Sequence, residues 1–351
     1  MATSSGRRPL TGIREVAQLA GVSLGTVSNV INHPERVSEE MRVRVQAAID
    51  RLGFVPNRNA DLRSGQSRLL GLLLPDIRNT FFADLALGAV DFADDNESVV
   101  LLCDSRNDAA REARNLNVLD QQRVAGLLLS PVVHNLAPVL DLRRRRSGPI
   151  GVVLVDSAAD ENEFCSVSVN DIAGGSAALE HLLSIGAERP VLVNGPPSIR
   201  QCADRRRGAR QALRRAGRAA ASLTEITVPE MTVAGGIKAA EELIAGNRLP
   251  DAVFCANDLL AIGVNRRLSQ HGVRIPEDVA IVGYDDIDRA SDVPVPLSSV
   301  RQPTYRLGRV GCELLTAEIN EGSEHRHRKV VFEPELVVRA SSQRAGWRGA
   351  T

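Results

Sequence analysis

The chain is poor in lysine, in aromatic residues and in long apolar runs. Only Lys238 and Lys329 are lysine among its 351 residues, and 3% of the residues are aromatic. No apolar stretch approaches the roughly 18 residues of a transmembrane helix, and the first ten residues lack the apolar core of a signal peptide. These absences argue against a membrane protein, and we expect a protein of the cytoplasm.

Cysteine pairs and catalytic motifs are also missing. The five cysteines are scattered without a CxxC pair, which argues against a disulfide framework or a zinc site. The patterns GxxxxGK[ST], GxGxxG, GxSxG and HExxH do not occur, so common phosphoryl-transfer, dinucleotide and hydrolase chemistries lack their signatures. The arginine run 143–146 and the pair His325 and His327 predict solvated surface rather than a metal site. We expect no catalytic residue, no metal and no cofactor.

The length and the charge distribution indicate several domains. A chain of 351 residues is too long for one simple core, so two or three domains are expected. The formal net charge is zero, but residues 1–68 hold ten arginines against six acids. A basic N-terminal segment in an otherwise neutral chain indicates a small domain that binds the phosphates of a nucleic acid.

The stretch VAQLAGVSLGTVSNVIN (16–32) interrupts a helical pattern with Gly-Val-Ser. Gly21 can adopt the left-handed conformation at a helix end, and Ser23 is a good N-cap for a second helix. The predicted helices cover 13–20, 24–31 and a third segment between Ser38 and Gly53. Such a compact three-helix head, with its second helix pushed outward, fits the major groove of DNA.

A polar segment at 56–68 predicts a linker, and the pattern changes beyond it. Continuous runs of Val, Ile and Leu alternate with amphipathic helical patterns, which is typical of parallel strands buried on both faces. These runs lie at 69–76, 98–105, 124–131, 151–156, 167–170, 189–195, 224–229, 251–257 and 279–286. These predicted strands are too many for one such sheet, so we expect two similar doubly wound α/β lobes.

Polar residues end one predicted strand after another. They are Asp76, Asp104, Asp156, Asn194, Asn257, Asp258, Asp285 and Asp286. Ligands of open parallel sheets bind beyond the carboxyl ends of the strands, so two opposed edges predict a cleft. Arg200 and 205–207 would add donors, and Phe81 and Phe82 would add aromatic rings. This set is typical of a sugar site, although a single Asp or Asn after a strand is more often a helix N-cap.

With a head, a linker and two lobes, the chain resembles a transcriptional regulator of the LacI/GalR family from about residue 13 to 342. The resemblance rests on VAQLAGVSLGTVSNVIN, FVPNRNADLRSG, PDIRNTFFADL, FCANDLLAIGV, VAIVGYDDID, LSSVRQP and ELVVRAS, in this order. It implies a helix-turn-helix head (11–55), a hinge (56–68) and an effector-binding and dimerisation domain (69–342) of the periplasmic-binding-protein type. Lobe 1 would hold about 69–166 and 299–328, and lobe 2 about 167–298 and 329–342, joined by three crossings.

The resemblance also implies partners and site residues. It implies a homodimer that binds pseudo-palindromic operator DNA, usually as a repressor, and a small effector, of the sugar class, that changes operator affinity. The DNA-binding residues would be Ser23, Leu24, Gly25, Thr26, Ser28, Asn29, Asn32 and Leu62. The effector-binding residues would be Phe82, Asp156, Arg205, Asn257 and Asp285. The tail lacks leucine heptads, so nothing indicates a tetramerising helix.

Some positions depart from the family's pattern. Gly25 has no side chain with which to read bases, and Asn29 stands where a family member carries arginine; asparagine suits adenine, whereas arginine prefers guanine. Thr80 replaces the usual proline before Phe81. The hinge is one residue short, which moves Leu62, the candidate wedge for the minor groove, by about 100° around a helix. We expect the hinge helix to re-aim Leu62, with weak DNA bending as the alternative.

Other classes share parts of this pattern. A periplasmic sugar-binding transport receptor would share the cleft, but it would need a signal peptide and would lack the head. An enzyme on a doubly wound scaffold should show a nucleophile or a phosphate loop. A corepressor-type regulator that responds to a purine or another metabolite stays open, because the sequence does not identify the effector.

Overall fold

A computed structural model of the chain describes residues 12–54, 67–132, 136–145, 150–158, 163–246 and 248–344. The chain divides into two compact units, Met1–Ser67 and Arg68–Thr351. We call them the head and the lobed unit. Of the helices in the described ranges, none is long and apolar enough to cross a membrane.

The head is a bundle of three helices that agrees with the prediction. The helices are α1 (Ile13–Ala20), α2 (Leu24–Asn32) and α3 (Glu39–Leu52). Gly21 ends α1 with a φ of 63°, and the Ser23 Oγ caps α2 by accepting the Thr26 N–H at 3.1 Å. The Arg44 guanidinium on α3 donates to the Ala20 carbonyl at 2.7 Å and so satisfies the end of α1. The turn between α1 and α2 is therefore fixed by local capping and by one contact from α3.

The described part of the head is electrically neutral. Residues 12–54 contain five arginines and five acidic residues. The basic excess of the N-terminal segment is contributed by Arg7, Arg8, Arg58, Arg63 and Arg68. The positive charge therefore flanks the helical bundle in sequence and is not part of it.

The lobed unit contains two six-stranded sheets. The first sheet comprises β1 (Leu69–Leu74), β2 (Val99–Asp104), β3 (Gly126–Leu129), β4 (Gly151–Val155), β5 (Cys165–Val169) and β11 (Lys329–Phe332). Its strands are all parallel and have the order β2-β1-β3-β4-β5-β11. The second sheet comprises β6 (Pro190–Asn194), β7 (Thr224–Thr227), β8 (Ala252–Cys255), β9 (Ala280–Asp285), β10 (Ser298–Arg301) and β12 (Glu335–Val337). Its order is β7-β6-β8-β9-β10-β12, and β12 is its one antiparallel strand among the described residues. Each sheet repeats the doubly wound order with one strand added at the edge.

Helices cover both faces of each sheet. They are α4 (Thr80–Asp95), α5 (Ala109–Gln121), α6 (Ala137–Arg145), α7 (Asp171–Ser184), α8 (Arg200–Arg215), α9 (Val233–Ala245), α10 (Asp258–Gln270), α11 (Asp288–Ser291) and α12 (Thr304–Glu321). In the first lobe α4 and α12 pack together, as do α5 and α6. In the second lobe the pairs are α7 with α8 and α9 with α10. The sheet interiors are consequently buried, as their uninterrupted apolar runs predict.

The three large helix pairs meet at glycines on both partners. A Cβ on Gly88 of α4 would overlap the Tyr305 carbonyl of α12, and a Cβ on Gly308 would overlap the Leu85 carbonyl. The same reciprocal contact joins Gly175 and Gly208 in α7 and α8, and Gly236 and Gly263 in α9 and α10. The backbones of each pair are therefore in direct contact.

The lobe boundaries differ from the predicted ones. The boundary at 167 divides β5, which lies wholly in the first sheet. β10 belongs to the second sheet and β11 to the first, the reverse of the prediction. The reason is strand pairing between distant segments: Lys329 pairs with Ser166, and Ser298 pairs with Val282. The chain crosses between the lobes after β5, after β10 and after β11.

The prediction of solvated surface at 143–146 and 325–327 holds for Arg144, Arg145 and Arg326, which are exposed, but is wrong for Arg143 and His325. The Arg143 side chain is 24% exposed, and the His325 side chain is 2% exposed. Arg143 places its guanidinium 4.4 Å from the Phe164 ring centroid and pairs with Glu318 at 2.7 Å. Arg146 lies outside the described residues.

Candidate functional site

A cavity of about 460 Å³ lies between the two lobes at the carboxyl ends of their strands. All five residues predicted to bind an effector line it, namely Phe82, Asp156, Arg205, Asn257 and Asp285. Among the described residues, the other predicted donors, Arg200, Arg206 and Arg207, are not part of its lining. The cavity thus brings together side chains from both lobes.

Arg205 is the buried cation of this cavity. It projects from α8, is 4% exposed and donates from Nε to Asp171 Oδ1 at 2.8 Å and from Nη1 to the Ala256 carbonyl. Its guanidinium carbon lies 3.6 Å from the Tyr284 ring centroid. Burial alone would lower its pKa, but Asp171, Tyr284 and Asp285 raise the pKa above its ordinary value. Arg205 is therefore charged and held in one position by the protein.

Asp285 and Asp156 are acidic residues on opposite lobes. Asp285 ends β9 with a φ of 105°, accepts from Gln302 Nε2 at 2.8 Å and lies 3.8 Å from Arg205 Nη1. Burial raises the pKa of Asp285 to about 6, although Arg205 and Gln302 oppose the rise. Asp156 follows β4 with a φ of 53°. Both residues hold left-handed backbone conformations that are uncommon outside glycine and that cluster at functional sites.

The Asp156 carboxyl has a spare oxygen. Gln201 Nε2 donates to its Oδ2 at 2.9 Å, whereas its Oδ1 is buried without a hydrogen-bond partner in the described part of the chain. Burial, with repulsion from Asp171, raises the pKa of Asp156 well above its ordinary value. A buried polar atom of this kind is uncommon in native proteins and is suited to a ligand.

Asn257 has a structural role as well as a position in the cavity wall. Its Oδ1 accepts the Leu260 N–H at 2.9 Å and caps α10, and its Nδ2 donates to the Met231 carbonyl at 3.1 Å. Asn79 caps α4 in the same way by accepting the Phe81 N–H at 3.1 Å. This cap fixes the start of α4 although Thr80 stands at the position of the usual proline.

Sequence reasoning missed several residues of the cavity wall, among them the polar side chains of Arg78, Arg106 and Gln201. Arg78 forms two side-chain hydrogen bonds to Asp76, at 2.9 and 2.8 Å. Gln201 lies one helical turn before Arg205 and connects the second lobe to the first. The i,i+4 spacing of Gln201 and Arg205 is a signal that could have indicated a shared face.

Other strand-end polar residues stabilise the second lobe. Asp258 accepts from Ser299 Oγ at 2.6 Å and from the Ile287 N–H at 2.9 Å. Asp286 accepts from Arg339 Nη1 at 2.6 Å. A polar residue at a strand end can therefore line the cavity or form hydrogen bonds inside the lobe, and the sequence pattern does not distinguish the two roles.

The exposed face of α2 carries the predicted DNA-binding residues. Val27 and Val30 turn into the head's core, whereas Leu24, Gly25 and Asn29 are exposed. Among the described residues, and apart from the backbone of α2 itself, a Cβ on Gly25 would come near Ser23 Oγ alone, at 3.6 Å.

Among the polar residues of this surface, Thr26 Oγ1 lies 2.9 Å from Ser23 Oγ, and Ser28 is half-buried. The side chain of Asn32 and the whole of Leu62 lie outside the described residues.

Comparison with known proteins identifies the family. Residues 12–57 match the family described as bacterial regulatory proteins, lacI family, and residues 179–342 match the periplasmic binding protein-like domain. The HTH-type transcriptional repressor PurR of Photobacterium profundum is 31% identical over 339 residues, which cover 94% of this chain and 98% of that protein. The chain belongs to the lacI family of bacterial regulatory proteins.

Two further matches extend over nearly the whole chain. The ribose operon repressor of Escherichia coli (strain K12) is 32% identical over 331 residues, 94% of this chain and 99% of that protein. A solved structure described as a transcriptional regulator CelR–cellobiose complex is 31% identical, with a TM-score of 0.70 and coverage of 94% and 99%.

Membership of the lacI family confirms the predicted resemblance and the fold class. The protein is a DNA-binding transcriptional regulator and not an enzyme. The lacI match over 12–57 also decides against a transport receptor, since the head is the part that such a receptor would lack.

Proposed function

We propose that this lacI-family protein is a homodimeric, cytoplasmic repressor whose affinity for operator DNA is changed by a small polyhydroxylated effector, of the sugar class, bound between the lobes. The observation that carries the proposal is the convergence of Arg205, Asp285 and Asp156 on one cavity beside Phe82. Two of these groups come from one lobe and one from the other, so a ligand that contacts all three also sets how the lobes meet.

The chemistry of the cavity favours a neutral ligand rich in hydroxyl groups. Carboxylate oxygens accept hydrogen bonds from hydroxyls, and the spare Oδ1 of Asp156 is available for one. The cavity wall holds three arginines against four acidic residues, so its charges nearly balance and do not require a charged ligand. Phe82 supplies an apolar surface for the ring of a sugar. The relative named as a ribose operon repressor and the cellobiose complex support the same class.

A ligand screen tests the effector class. Purified full-length protein is mixed with monosaccharides, disaccharides and nucleobases, and each compound that raises the melting temperature is then tested for its effect on operator binding by fluorescence anisotropy. A sugar that raises the melting temperature and changes operator affinity supports the proposal. If only a nucleobase does so, the protein is a corepressor-type regulator with another effector class.

The DNA interface is proposed on the exposed face of α2. Leu24, Gly25 and Asn29 would meet base edges, since they are exposed on α2, whereas Val27 and Val30 are buried in the head's core. Phosphates would be contacted by Ser23, Thr26, Ser28 and Asn32, and the hinge residue Leu62 would enter the minor groove. The arginines that flank the helical bundle in sequence would add attraction to the phosphates.

Replacing Asn29 with alanine is expected to remove about 1–3 kcal/mol of discrimination between the preferred base pair and its alternatives. The reason is that an exposed amide on α2 can form two hydrogen bonds with one adenine. The measurement is the dissociation constant, at fixed salt, on an operator selected from a random library and on its single-base variants. Gln46→Ala, which removes an exposed amide from α3, is the matched control. Equal losses on every sequence would show that Asn29 contacts phosphate only.

An apolar surface at one edge of the first lobe is proposed as the dimer interface. β2 is an edge strand of the first sheet, and its residues Val99 and Leu102 are 55% and 48% exposed. Leu87 and Val90 on α4 and Val118 on α5 are exposed beside it. An exposed apolar edge strand invites pairing or covering, and a second copy of the chain would bury it.

The double substitution Val99→Glu and Leu102→Glu is expected to convert the dimer to a monomer, because it places charge in an apolar interface. Sedimentation velocity distinguishes one 37.8 kDa chain from two. The control is Val331→Glu, since Val331 is 45% exposed on β11, the opposite edge strand of the same sheet. A double variant that sediments as a dimer would place the interface elsewhere.

Effector binding is expected to weaken as the pH falls through about 6, the raised pKa of Asp285. Above this pH the Asp285 carboxylate is ionised and accepts hydrogen bonds from the hydroxyl groups of the effector. Below this pH, Asp285 has to lose its proton before it can accept these hydrogen bonds. The effector dissociation constant should therefore rise by at most about tenfold per pH unit on the acidic side. Isothermal titration calorimetry between pH 5 and 8 checks this, and Asp285→Asn should reduce the pH dependence, with any remainder arising from Asp156, whose pKa is also raised. A flat profile in the unmodified protein would contradict the role of Asp285.

A further inference from the structure

Four side chains of metal-binding type meet in the first lobe, away from the cleft. They are Cys165, Glu318, His325 and His327, and one ligand atom from each lies within 4.8 Å of the others. Cys165 begins β5, His325 and His327 directly precede β11, and Glu318 lies near the end of α12. Because β5 and β11 run parallel, the cluster lies at the amino ends of these strands, whereas the effector cavity lies at the carboxyl ends.

Within the cluster, His325 is fixed in the orientation of a metal ligand. Its Nε2 lies 3.1 Å from Cys165 Sγ, and its Nδ1 lies 2.7 Å from Glu321 Oε2. An Nδ1–H that donates to the Glu321 carboxylate leaves the Nε2 lone pair directed at the sulfur. Metal-bound histidines usually have such a carboxylate behind them, because it sets the tautomer and strengthens the ligand.

Two further atoms of the cluster lack partners. Glu318 Oε2 and His327 Nδ1 are buried without a well-formed hydrogen bond among the described residues, although the Val152 N–H is close enough to the Glu318 carboxyl to lower its pKa. The Glu318 side chain is only 10% exposed, and its other oxygen accepts from Arg143 Nη2 at 2.7 Å. Buried polar atoms are paired in native proteins with few exceptions, so each unpaired atom requires an explanation. A bound cation would explain both.

The charges around the cluster suit a divalent cation. Two cations, Arg143 and Arg328, oppose a metal ion at this cluster. Glu163, Glu318 and Glu321 contribute three negative charges, and a metal-bound Cys165 thiolate would contribute a fourth. With the thiolate these groups carry a charge of about −2, which a divalent ion would neutralise.

We propose that Cys165, Glu318, His325 and His327 bind a zinc ion. A thiolate with two imidazoles favours zinc over calcium or magnesium, which require oxygen ligands, and four protein ligands make a closed tetrahedral site of the structural kind. Zinc bond lengths put neighbouring ligand atoms roughly 3.3–3.6 Å apart. Since the ligand atoms lie within 4.8 Å of one another, the widest separation has to shorten by up to about 1.2–1.5 Å. The earlier expectation of no metal rested on a solvated loop at 325–327, and the burial of His325 removes that basis.

A zinc ion here would connect the three elements of the first lobe that lead into or out of the lobe crossings. β5 leads into the first crossing, α12 follows the second, and β11 leads into the third. The ion would therefore fix these elements against one another without entering the effector cavity. The proposal stands independently of the effector class.

The test begins with the unmodified full-length protein. Zinc content is measured by mass spectrometry after dialysis against zinc and after chelation, and cobalt is then added to the metal-free protein. We expect one zinc per chain, a melting temperature that falls on chelation and recovers with zinc, and cobalt absorption bands typical of tetrahedral geometry with a thiolate ligand. Less than stoichiometric zinc, or cobalt spectra without a thiolate band, would overturn the proposal.

Variants locate the site. Cys165→Ser and His327→Gln should lose the stoichiometric zinc, whereas Cys103→Ser and His271→Gln, which lie outside the cluster, should keep it. Glu321→Gln should weaken zinc binding about 10- to 100-fold, because it removes the partner of His325 but no ligand. Circular dichroism and operator binding show whether each variant is folded. Zinc retained equally in folded Cys165→Ser and His327→Gln would place the ion elsewhere and refute this site.

Discussion

Replacing Arg205 with alanine is expected to lower the free energy of unfolding of the lobed unit by about 3–5 kcal/mol. The Arg205 side chain is 5% exposed and lies 2.8 Å from Asp171, which is itself 9% exposed. Alanine would leave this carboxylate buried without its cation and would remove the guanidinium from the face of Tyr284. The measurement is a urea unfolding curve of the full-length protein, followed by circular dichroism.

The neighbouring residue Arg206 provides the control. Its side chain is 29% exposed and lies 3.4 Å from Glu225, so Arg206→Ala should cost no more than about 1 kcal/mol. Similar losses for the two variants would show that Arg205 is not the organising charge of the cavity. A large loss for Arg205→Ala alone would mean that this residue maintains the effector site as well as lining it.

The substitution Asp285→Asn is expected to weaken effector binding by about 10- to 150-fold, which corresponds to about 1.5–3 kcal/mol for a hydrogen bond to a charged group. Asparagine has the same shape and tolerates the positive φ of 105° at this position, so the fold should be kept. Operator binding without effector should be unchanged, because the head lies in a separate unit of the chain. Calorimetry with the effector and anisotropy with operator DNA measure the two effects.

Asp286→Asn is the matched control for this prediction. Asp286 is the next residue, also has a positive φ, and pairs with Arg301 and Arg339 instead of lining the cavity. Its substitution should lower stability while leaving effector affinity unchanged. If Asp285→Asn binds the effector as tightly as the unmodified protein, the carboxylate does not contact the effector.

Local patterns predicted most of the fold. The capped helices α1 and α2 follow from Gly21 and Ser23, with one further contact from Arg44. Most of the strands β1 to β9 follow from apolar runs, although β5 and β7 contain polar residues. The prediction places β10 and β11 in the wrong lobes. For β11 the reason is that its partner lies far away in sequence, since Lys329 pairs with Ser166.

The candidate sites were also predictable only where they depend on local sequence patterns. Strand ends located the cavity, because the topology of parallel sheets brings them together. They could not show that the Asn257 amide is occupied as a helix cap or that Gln201 reaches Asp156 across the cavity. The contact between Cys165 and His325 joins residues 160 positions apart, and no local pattern indicates it.

The glycine contacts between helices restrict how the lobes can move. In each pair the two backbones touch, so sliding one helix past the other would drive side chains into carbonyl groups. Shear within a lobe is therefore blocked, and opening or closure of the cleft has to be a hinge rotation at the crossings. Asn170 in the first crossing donates from Nδ2 to both carboxylate oxygens of Glu333 in the third, at 3.0 and 3.2 Å. Its backbone N–H also donates to the Phe332 carbonyl at 2.8 Å. These hydrogen bonds join two of the three crossings, so they set part of the resistance to rotation.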